Sequence, residues 1–435
     1  MRIVSVLALL LAVCFCAALP LHAQSMGGTR QTKYTPQELQ ADFDFFWQSI
    51  SDNYAYLDAK ATDWNKVRTV YRPQLAAVQT RAEFISFMER VLEELYDPHI
   101  SLNTNLPFSP RLVPTGDDTW AEWQEGNAII TEVRPGSSAE QAGLRAGMQV
   151  LSINRSPVRQ AVHSREGQCL RHPDLAADNW ALRVLLAGRH NETRRFVVQH
   201  GPQPPVAVTL DDTAAERGSV SESDAPLLHE EVLRQNPRIG YIRINNSLGE
   251  TKLFRQFDAA LDKLKDTRGL ILDLRDTPSG GNTTVARGLL GRFITEDLFY
   301  QKHDSPAEVR AYGIQQKWVD IVSPRGPCYS RPVVVLADHW TGSMGEGIAI
   351  GMDGMKRGTV VGTRMAGLNG AIDSITLPDT GIGVNFPTER LFHINGTLRE
   401  DFVPPVTVSL LHQDNPGHDA ILEAGTKVLL EKMQH

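Results

Sequence analysis

The feature that most constrains the fold is an alternation of short apolar runs with helical segments in the second half of the chain. The apolar runs are RIGYIRI (238–244), RGLILDLR (268–275) and PVVVLAD (332–338). A segment with helical character follows each of them. Buried strands separated by helices are typical of a parallel sheet with helices on its faces. The sequence therefore predicts a layered α/β domain over residues 236–435.

Amphipathic helices are predicted near the start of the chain. The segments TPQELQADFDFFWQSI, from Thr35, and TRAEFISFMERVLEELYDPH, from Thr80, each carry a Thr at the N-cap and a Glu three residues later. This spacing is the capping box, and apolar residues then recur with helical period. We expect an N-terminal helical domain over residues 35–104.

Length and charge limit the classes of function. A chain of 435 residues is too long for one ordinary hydrophobic core, so two or three domains are expected. The net charge is −7 and no block of Lys and Arg is present, which gives no electrostatic basis for binding nucleic acid.

The first residues have the pattern of a secretory signal peptide. Arg2 precedes an apolar stretch, and a Leu-His-Ala step comes before Gln24. We expect residues 1–23 to be removed, leaving an exported protein, periplasmic or secreted, with no stable membrane insertion. A retained N-terminal anchor and a lipid-modified Cys14 are the alternatives.

Two cysteines, Cys169 and Cys328, remain once the signal peptide is removed. An oxidising compartment would permit a disulfide between them. Two free, buried thiols fit the sequence equally well.

Residues 127–158, NAIITEVRPGSSAEQAGLRAGMQVLSINRSPV, predict a strand, a turn, a short helix and another strand. The segment resembles a PDZ domain, expected over 105–202, although Met148 replaces the usual Asp. The resemblance implies binding of peptide C-termini as an added strand. The Pro-, Ser- and acid-rich residues that follow predict a linker over 203–235 that could contain one strand.

Ser343 lies in HWTGSMGEGIAIGM, directly after the last apolar run and at the start of a helix rich in small residues. With Glu346 it has the S-x-x-E spacing of a capping box, which explains the serine structurally. A nucleophile would stand at the same place. Gly280 and Gly281 in LDLRDTPSGG are likewise either a tight turn or a backbone that presents an amide to negative charge.

The segments GYIRI, LDLRDTPSGG, VVGTRMAGLNG and REDFVPP occur in an order that resembles the C-terminal processing and tricorn-type serine peptidases. The order of helical region, PDZ-like segment and α/β domain is similar as well. This resemblance implies a multidomain α/β protein with a ClpP/crotonase-like catalytic domain that cleaves proteins or peptides. It also implies that Ser343 is the nucleophile and that the amides of Gly280 and Met344 bind the oxyanion.

The resemblance also suggests the base. One branch of the family uses a lysine where this chain has Leu368, and leucine cannot accept a proton, so that dyad is excluded. Nearby Lys356 and Arg357 lie at a helix end and are interpreted as surface charges. The tricorn-like branch uses a histidine, and YDPHISL resembles its D-G-H-T segment, which implies that His99 is the base.

The segment NGTLREDFVPP implies that Glu400 orients the base, with Asp401 as the fallback. An auxiliary serine of tricorn-type sites is replaced by Pro98, and Ser101 could serve instead. The rival bases are His339 and His393.

No metal or cofactor is expected, because LLHEEV at 227–232 lacks the second histidine of H-E-x-x-H. Two other functions stay open. One is an inactive relative that binds peptides or small apolar ligands, and the other is a scaffold centred on the PDZ-like domain.

Overall fold

The structure is a computed structural model that describes residues 33–211, 226–411 and 418–434. The expected signal peptide, 1–23, lies outside the described residues. Within the described ranges, none of the helices combines the length and the apolar character needed to cross a membrane.

The N-terminal region is helical, as the capping boxes predict. Its elements are α1 (Pro36–Asn53), α2 (Trp64–Tyr71), α3 (Arg81–Glu93) and the short strand β1 (Ser101–Leu102). Thr35 and Thr80 cap α1 and α3 with reciprocal bonds to Glu38 and Glu83. The apolar faces of these helices form one core, which also takes up side chains from a hairpin of the C-terminal half.

The PDZ-like region is a six-stranded sheet. Its strands are β2 (Thr119–Gln124), β3 (Asn127–Val133), β4 (Gln149–Ile153), β5 (Ser156–Pro157), β6 (Arg194–Gln199) and β7 (Val206–Leu210). Its helices are α4 (Ser138–Gln141), α5 (Val158–His163) and α6 (Leu175–Ala187). Strand β7 pairs with β6 although it falls in the expected linker, 203–235, because alternating apolar residues let it extend the sheet.

The α/β domain contains a second six-stranded sheet, as predicted from the apolar runs. Its strands are β8 (Leu228–Gln235), β9 (Arg238–Ile244), β10 (Gly269–Asp273), β13 (Val333–Ala337), β14 (Gly358–Gly362) and β17 (Val406–Thr407). The order is β17-β14-β13-β10-β9-β8, parallel except for β8. Its helices are α7 (Leu253–Lys263), α8 (Thr283–Leu290), α10 (Met344–Gly354) and α11 (Ala420–Lys432). The whole of strand β8 also lies within the expected linker, 203–235.

A third sheet connects this domain with the helical region. It contains β11 (Leu298–Ser305), β12 (Gln316–Val322), β15 (Ala371–Thr376) and β16 (Gly383–Phe392), and helix α9 (Pro306–Tyr312) lies between its first two strands. Strand β16 pairs with β1, and apolar side chains of the β15–β16 hairpin enter the helical core. The end of the helical region is thereby fixed against the C-terminal half.

Cys169 and Cys328 are both free thiols. Cys169 is buried in the helical core, whereas Cys328 precedes β13. Of the two alternatives left open by the sequence, the structure has the free cysteines.

Candidate active site

Ser343 occupies a strained turn between β13 and α10. Its backbone has φ +49° and ψ −107°, which is unusual for a residue with a side chain. Such a conformation costs about 1–3 kcal/mol and persists where the surroundings enforce it, often at functional sites. Nothing in the sequence indicated this strain, since a capping serine normally has extended backbone.

Gly280 lies directly against Ser343. Its φ is +64°, and a Cβ atom there would stand 2.4 Å from the Cβ atom of Ser343 and 3.0 Å from its Oγ atom. Only glycine leaves room for the serine. The tight-turn interpretation is thus correct, and the turn also brings a backbone beside the serine hydroxyl.

The two expected oxyanion donors differ in their hydrogen bonds. The amide of Gly280 donates to the carbonyl of Thr277 at 3.0 Å. The amide nitrogen of Met344 lies 3.0 Å from the point that a Cβ atom on Gly280 would occupy. Within the described residues, this amide donates to no backbone carbonyl. The Met344 amide therefore points from the start of α10 without a competing carbonyl, whereas the Gly280 amide must leave Thr277 before it can bind an oxyanion.

Glu346 joins the turn at Ser343 to a second loop. The side chain is fully buried, and its Oε2 atom accepts from the amides of Ser343 (2.7 Å) and Leu368 (3.3 Å). Its Oε1 atom accepts from the amide of Gly367 at 3.0 Å. Burial raises the pKa of Glu346 to about 7, an effect that the Arg399 guanidinium opposes. The predicted capping glutamate thus also holds residues 367–370, which we call the site loop.

Arg399 holds the site loop from the other side. Its side chain is buried, and its Nη2 atom donates to the carbonyls of Leu368 and Gly370, both at 2.8 Å. The same atom lies 3.8 Å from Glu346 Oε2. The two carbonyls satisfy Nη2 of Arg399 and the three amides satisfy Glu346, whereas the buried Nε atom of Arg399 has no hydrogen-bond partner among the described residues.

His99 is oriented by the site loop. Its Nδ1 atom lies 2.6 Å from the carbonyl of Asn369. Asp97 accepts from the His99 amide (2.9 Å) and from the Asn369 side chain (2.9 Å), which fixes both residues. Because a carbonyl can only accept, Nδ1 carries the proton and Nε2 keeps a lone pair. This is the tautomer that a general base requires.

The pKa of His99 is lowered to about 4. Burial is the largest cause and the charge of Arg399 the next, while the backbone of Asn369, the charge of Asp97 and the backbone of Gly370 act in the opposite direction. His99 is therefore neutral, and able to accept a proton, over the whole physiological range of pH.

Ser343 and His99 are connected through consecutive residues of the site loop. Glu346 bonds both Ser343 and Leu368, and the next residue, Asn369, bonds His99. Among the described residues, no hydrogen bond joins the Ser343 hydroxyl to the His99 ring.

Glu400 lies in a 3₁₀ turn, Arg399–Asp401, beside the site loop. Both of its carboxylate oxygens are buried and have no hydrogen bond of standard geometry within the described ranges, although the Tyr56 hydroxyl is close enough to stabilise the anion. Burial is the main reason that the pKa of Glu400 is raised. Asp401 is exposed. The acceptor that orients the His99 ring is the Asn369 carbonyl, which the sequence did not indicate.

The two rival histidines are engaged elsewhere. His339 bonds Glu132 through Nδ1 and stacks on Trp120, with ring centroids 4.5 Å apart, so it anchors the PDZ-like sheet to the α/β domain. His393 Nε2 lies 3.1 Å from Asp353 Oδ2. The hydrogen bonds found for these rings do not reach Ser343.

Three family models match parts of this chain. Residues 238–405 match the peptidase family S41, residues 35–93 the tricorn protease C1 domain, and residues 113–174 the PDZ domain. Residues 238–405 of this chain thus form a peptidase family S41 domain. This S41 protein is accordingly a serine-type peptidase, and the multidomain α/β fold predicted from the sequence is confirmed.

Curated relatives of this S41 peptidase are distant. A carboxyl-terminal-processing protease of Synechocystis sp. is 22% identical over 396 residues, which cover 85% of this chain and 82% of that protein. A putative tricorn protease homolog 2 of Streptomyces coelicolor is 26% identical over 70% of this chain, but the match spans only 24% of the relative.

Two solved structures share the fold of the S41 peptidase. Mature CPAF superimposes with a TM-score of 0.59 at 14% identity, covering 92% of this chain and 97% of that one. The photosystem II D1 C-terminal processing protease gives 0.55 at 19% identity, covering 90% and 97%. At these identities the likeness supports the fold alone.

Proposed function

We propose that this chain is an exported peptidase that cleaves proteins or peptides with Ser343 as nucleophile and His99 as general base. The observation that carries the proposal is the site loop. Its Leu368 amide shares the Glu346 carboxylate with Ser343, and its Asn369 carbonyl sets the tautomer of His99.

In the proposed reaction, the Ser343 Oγ atom attacks the substrate carbonyl carbon while His99 Nε2 takes the hydroxyl proton. The oxyanion receives the Met344 amide, aided by the positive end of helix α10. Gly280 contributes its amide once it turns away from Thr277. His99 then returns the proton to the leaving amine, and water completes the cycle by the same steps.

Glu400 remains the proposed acidic partner of the base, with Asp401 as the fallback. An imidazolium forming at His99 beside the Arg399 charge needs a compensating anion. Glu400 has buried carboxylate oxygens that no donor holds in standard geometry within the described ranges, whereas Asp401 is solvated. Those facts favour Glu400 over Asp401.

Replacing His99 with alanine is expected to lower kcat/KM by about 10⁴-fold or more, since the nucleophile loses its base. His393→Ala is the control, because His393 is a buried histidine whose ring is held by Asp353 and not by the site loop. It should change kcat/KM by less than about tenfold. Steady-state hydrolysis of a peptide tests both variants, and activity that survives His99→Ala but not His393→Ala reverses the assignment.

The pH profile gives an independent test of the same base. Because the pKa of His99 is about 4, protonation of this base should lower kcat/KM only as the pH approaches 4, and Glu346→Gln removes the separate titration of Glu346, whose pKa is about 7. An ordinary histidine would give an acid limb near 6.5. His99 binds a proton less readily in the folded state than in the unfolded chain. Protonation of His99 therefore also lowers the free energy of unfolding as the pH drops from 6.5 towards 4.

We further propose that the PDZ-like domain gathers substrates by their free C-termini. This part rests on the PDZ match and on the mode by which such domains add a peptide as a strand and hold its carboxylate. Amidating the C-terminus of a peptide substrate should therefore raise KM about tenfold or more with little change in kcat. Equal KM values for the acid and the amide would contradict tail recognition.

Export is the last part of the proposed function. Loss of residues 1–23 would leave a mature chain that starts at Gln24, and mass spectrometry of the N-terminus distinguishes this from a retained anchor or a lipid on Cys14.

A further inference from the structure

A cleft of about 250 Å³ opens beside the proposed base. Pro98, which precedes His99, and Gly367 and Asn369 of the site loop form one wall. Residues of the helical and PDZ-like regions form the remainder, among them Lys60 and Trp180. Ser343 and His99 do not line the cleft themselves, so a group bound there would lie beside the loop that orients His99.

The charge of the cleft is positive. Lys60 and Arg183 line it, and no carboxylate from the described part of the chain does. Arg183 is already paired, with Glu122 at 3.2 Å and with its guanidinium 4.1 Å from the centre of the Trp120 ring. Lys60 is different, because its Nζ atom donates only a long bond of 3.4 Å to the Tyr96 carbonyl.

Lys60 thus carries a charge with incomplete compensation. Its Nζ atom sits 4.4 Å from the centre of the Tyr96 ring, and no described carboxylate lies within ion-pair distance of it. Burial lowers the pKa of Lys60, and three acids, Asp97, Asp174 and Glu400, oppose that effect only through the longer-range attraction of their charges. Asp97 accepts instead from Tyr54 and Asn369, and Asp174 accepts from Tyr96.

We propose that this cleft is a specificity subsite for an acidic side chain, Asp or Glu, adjacent to the scissile bond, with Lys60 as its counter-ion. The inference rests on the proposed peptidase function and adds a substrate class to it. The carboxylate supplies the partner that Lys60 lacks, and Trp180 and Val113 pack against the methylene groups of the same side chain.

Discrimination follows from the cost of leaving Lys60 unpaired. A charge-assisted hydrogen bond in a partly buried site is strong, and a neutral isostere cannot replace it. We therefore expect a peptide with Glu at the preferred position to be cleaved roughly 10- to 100-fold more efficiently than the Gln peptide.

The test uses the mature protein and peptides that differ only by Glu, Gln or Lys at each position flanking the cleavage site. Wild type should prefer Glu at one position. Lys60→Met should abolish the preference, Lys60→Arg should retain it, and Lys60→Glu should shift it towards Lys. Lys66→Met is the matched control, because Lys66 is exposed in the same helical region and outside the cleft. That control should keep the wild-type preference.

Calorimetric binding of the same peptides to Ser343→Ala separates this inference from the peptidase assignment. If no peptide is hydrolysed, the proposed function fails, and the ratio of Kd values for Glu and Gln still tests the cleft. Equal values of kcat/KM and of Kd for Glu and Gln at every position would overturn the inference, as would a preference that persists in Lys60→Met.

Discussion

Replacing Ser343 with alanine is expected to lower kcat for peptide hydrolysis by roughly 10⁶-fold, because the reaction loses its nucleophile. The fold should be retained. The amide that Glu346 binds is unchanged in alanine, and its smaller side chain fits against Gly280. We expect the free energy of unfolding to change by no more than about 1 kcal/mol.

Two measurements check this prediction: kcat on a peptide substrate and urea denaturation followed by circular dichroism. Ser374→Ala serves as the control, because Ser374 is an exposed strand residue of the β15–β16 hairpin. It should retain wild-type kcat. A Ser343→Ala protein that stays folded and keeps more than about one hundredth of the activity would remove Ser343 from the mechanism.

The second large effect is expected at Glu346. Glutamine cannot accept from all three amides, since its NH₂ group must face at least one of the N–H donors of Ser343, Gly367 or Leu368. It also leaves the buried Arg399 without its closest anion. At pH 8 we expect Glu346→Gln to lose about 3 kcal/mol of stability. We also expect kcat/KM to fall roughly 100-fold, since the site loop orients the base.

Glu83→Gln is the matched control, because Glu83 holds the same capping-box position on an exposed helix start. Its loss of stability should be much smaller than that of Glu346→Gln. The pH dependence has a definite sign. Burial raises the pKa of Glu346 to about 7, so its ionisation makes the wild type lose stability as the pH rises from 4.5 to 7. Glutamine does not titrate, and the stability difference between the variant and wild type should therefore change across that range. Equal losses for both variants at pH 8 would contradict the special role of Glu346.

Local signals predicted much of this fold. The capping boxes at Thr35 and Thr80 are complete, and the apolar runs became the parallel strands β9, β10 and β13. These features depend on residues a few positions apart, where propensity and spacing act directly. The sequence allowed one strand within the linker, but it did not indicate that this strand, β7, pairs with β6 and extends the PDZ-like sheet.

The site was less accessible to sequence reasoning. Motifs were sufficient to identify Ser343 and Gly280. They also showed that position 368 is leucine, where one branch of the family has lysine. The contacts of Glu346, Arg399 and Asn369 with the site loop and His99 could not, since they join residues 21 to 270 positions apart. No local pattern encodes a backbone carbonyl as the acceptor for His99.

Labelling with a fluorophosphonate probe tests the role of Ser343 as an activated nucleophile most directly. The mature protein is treated with the probe, and the modified residue is located by peptide mass spectrometry, with Ser343→Ala and His99→Ala treated in parallel. We predict one modified residue, Ser343, no labelling of Ser343→Ala, and labelling of His99→Ala that is slower by orders of magnitude. A folded wild type that takes up no probe would support an inactive binding protein. Modification at another residue, or labelling that survives Ser343→Ala, would contradict the proposed mechanism.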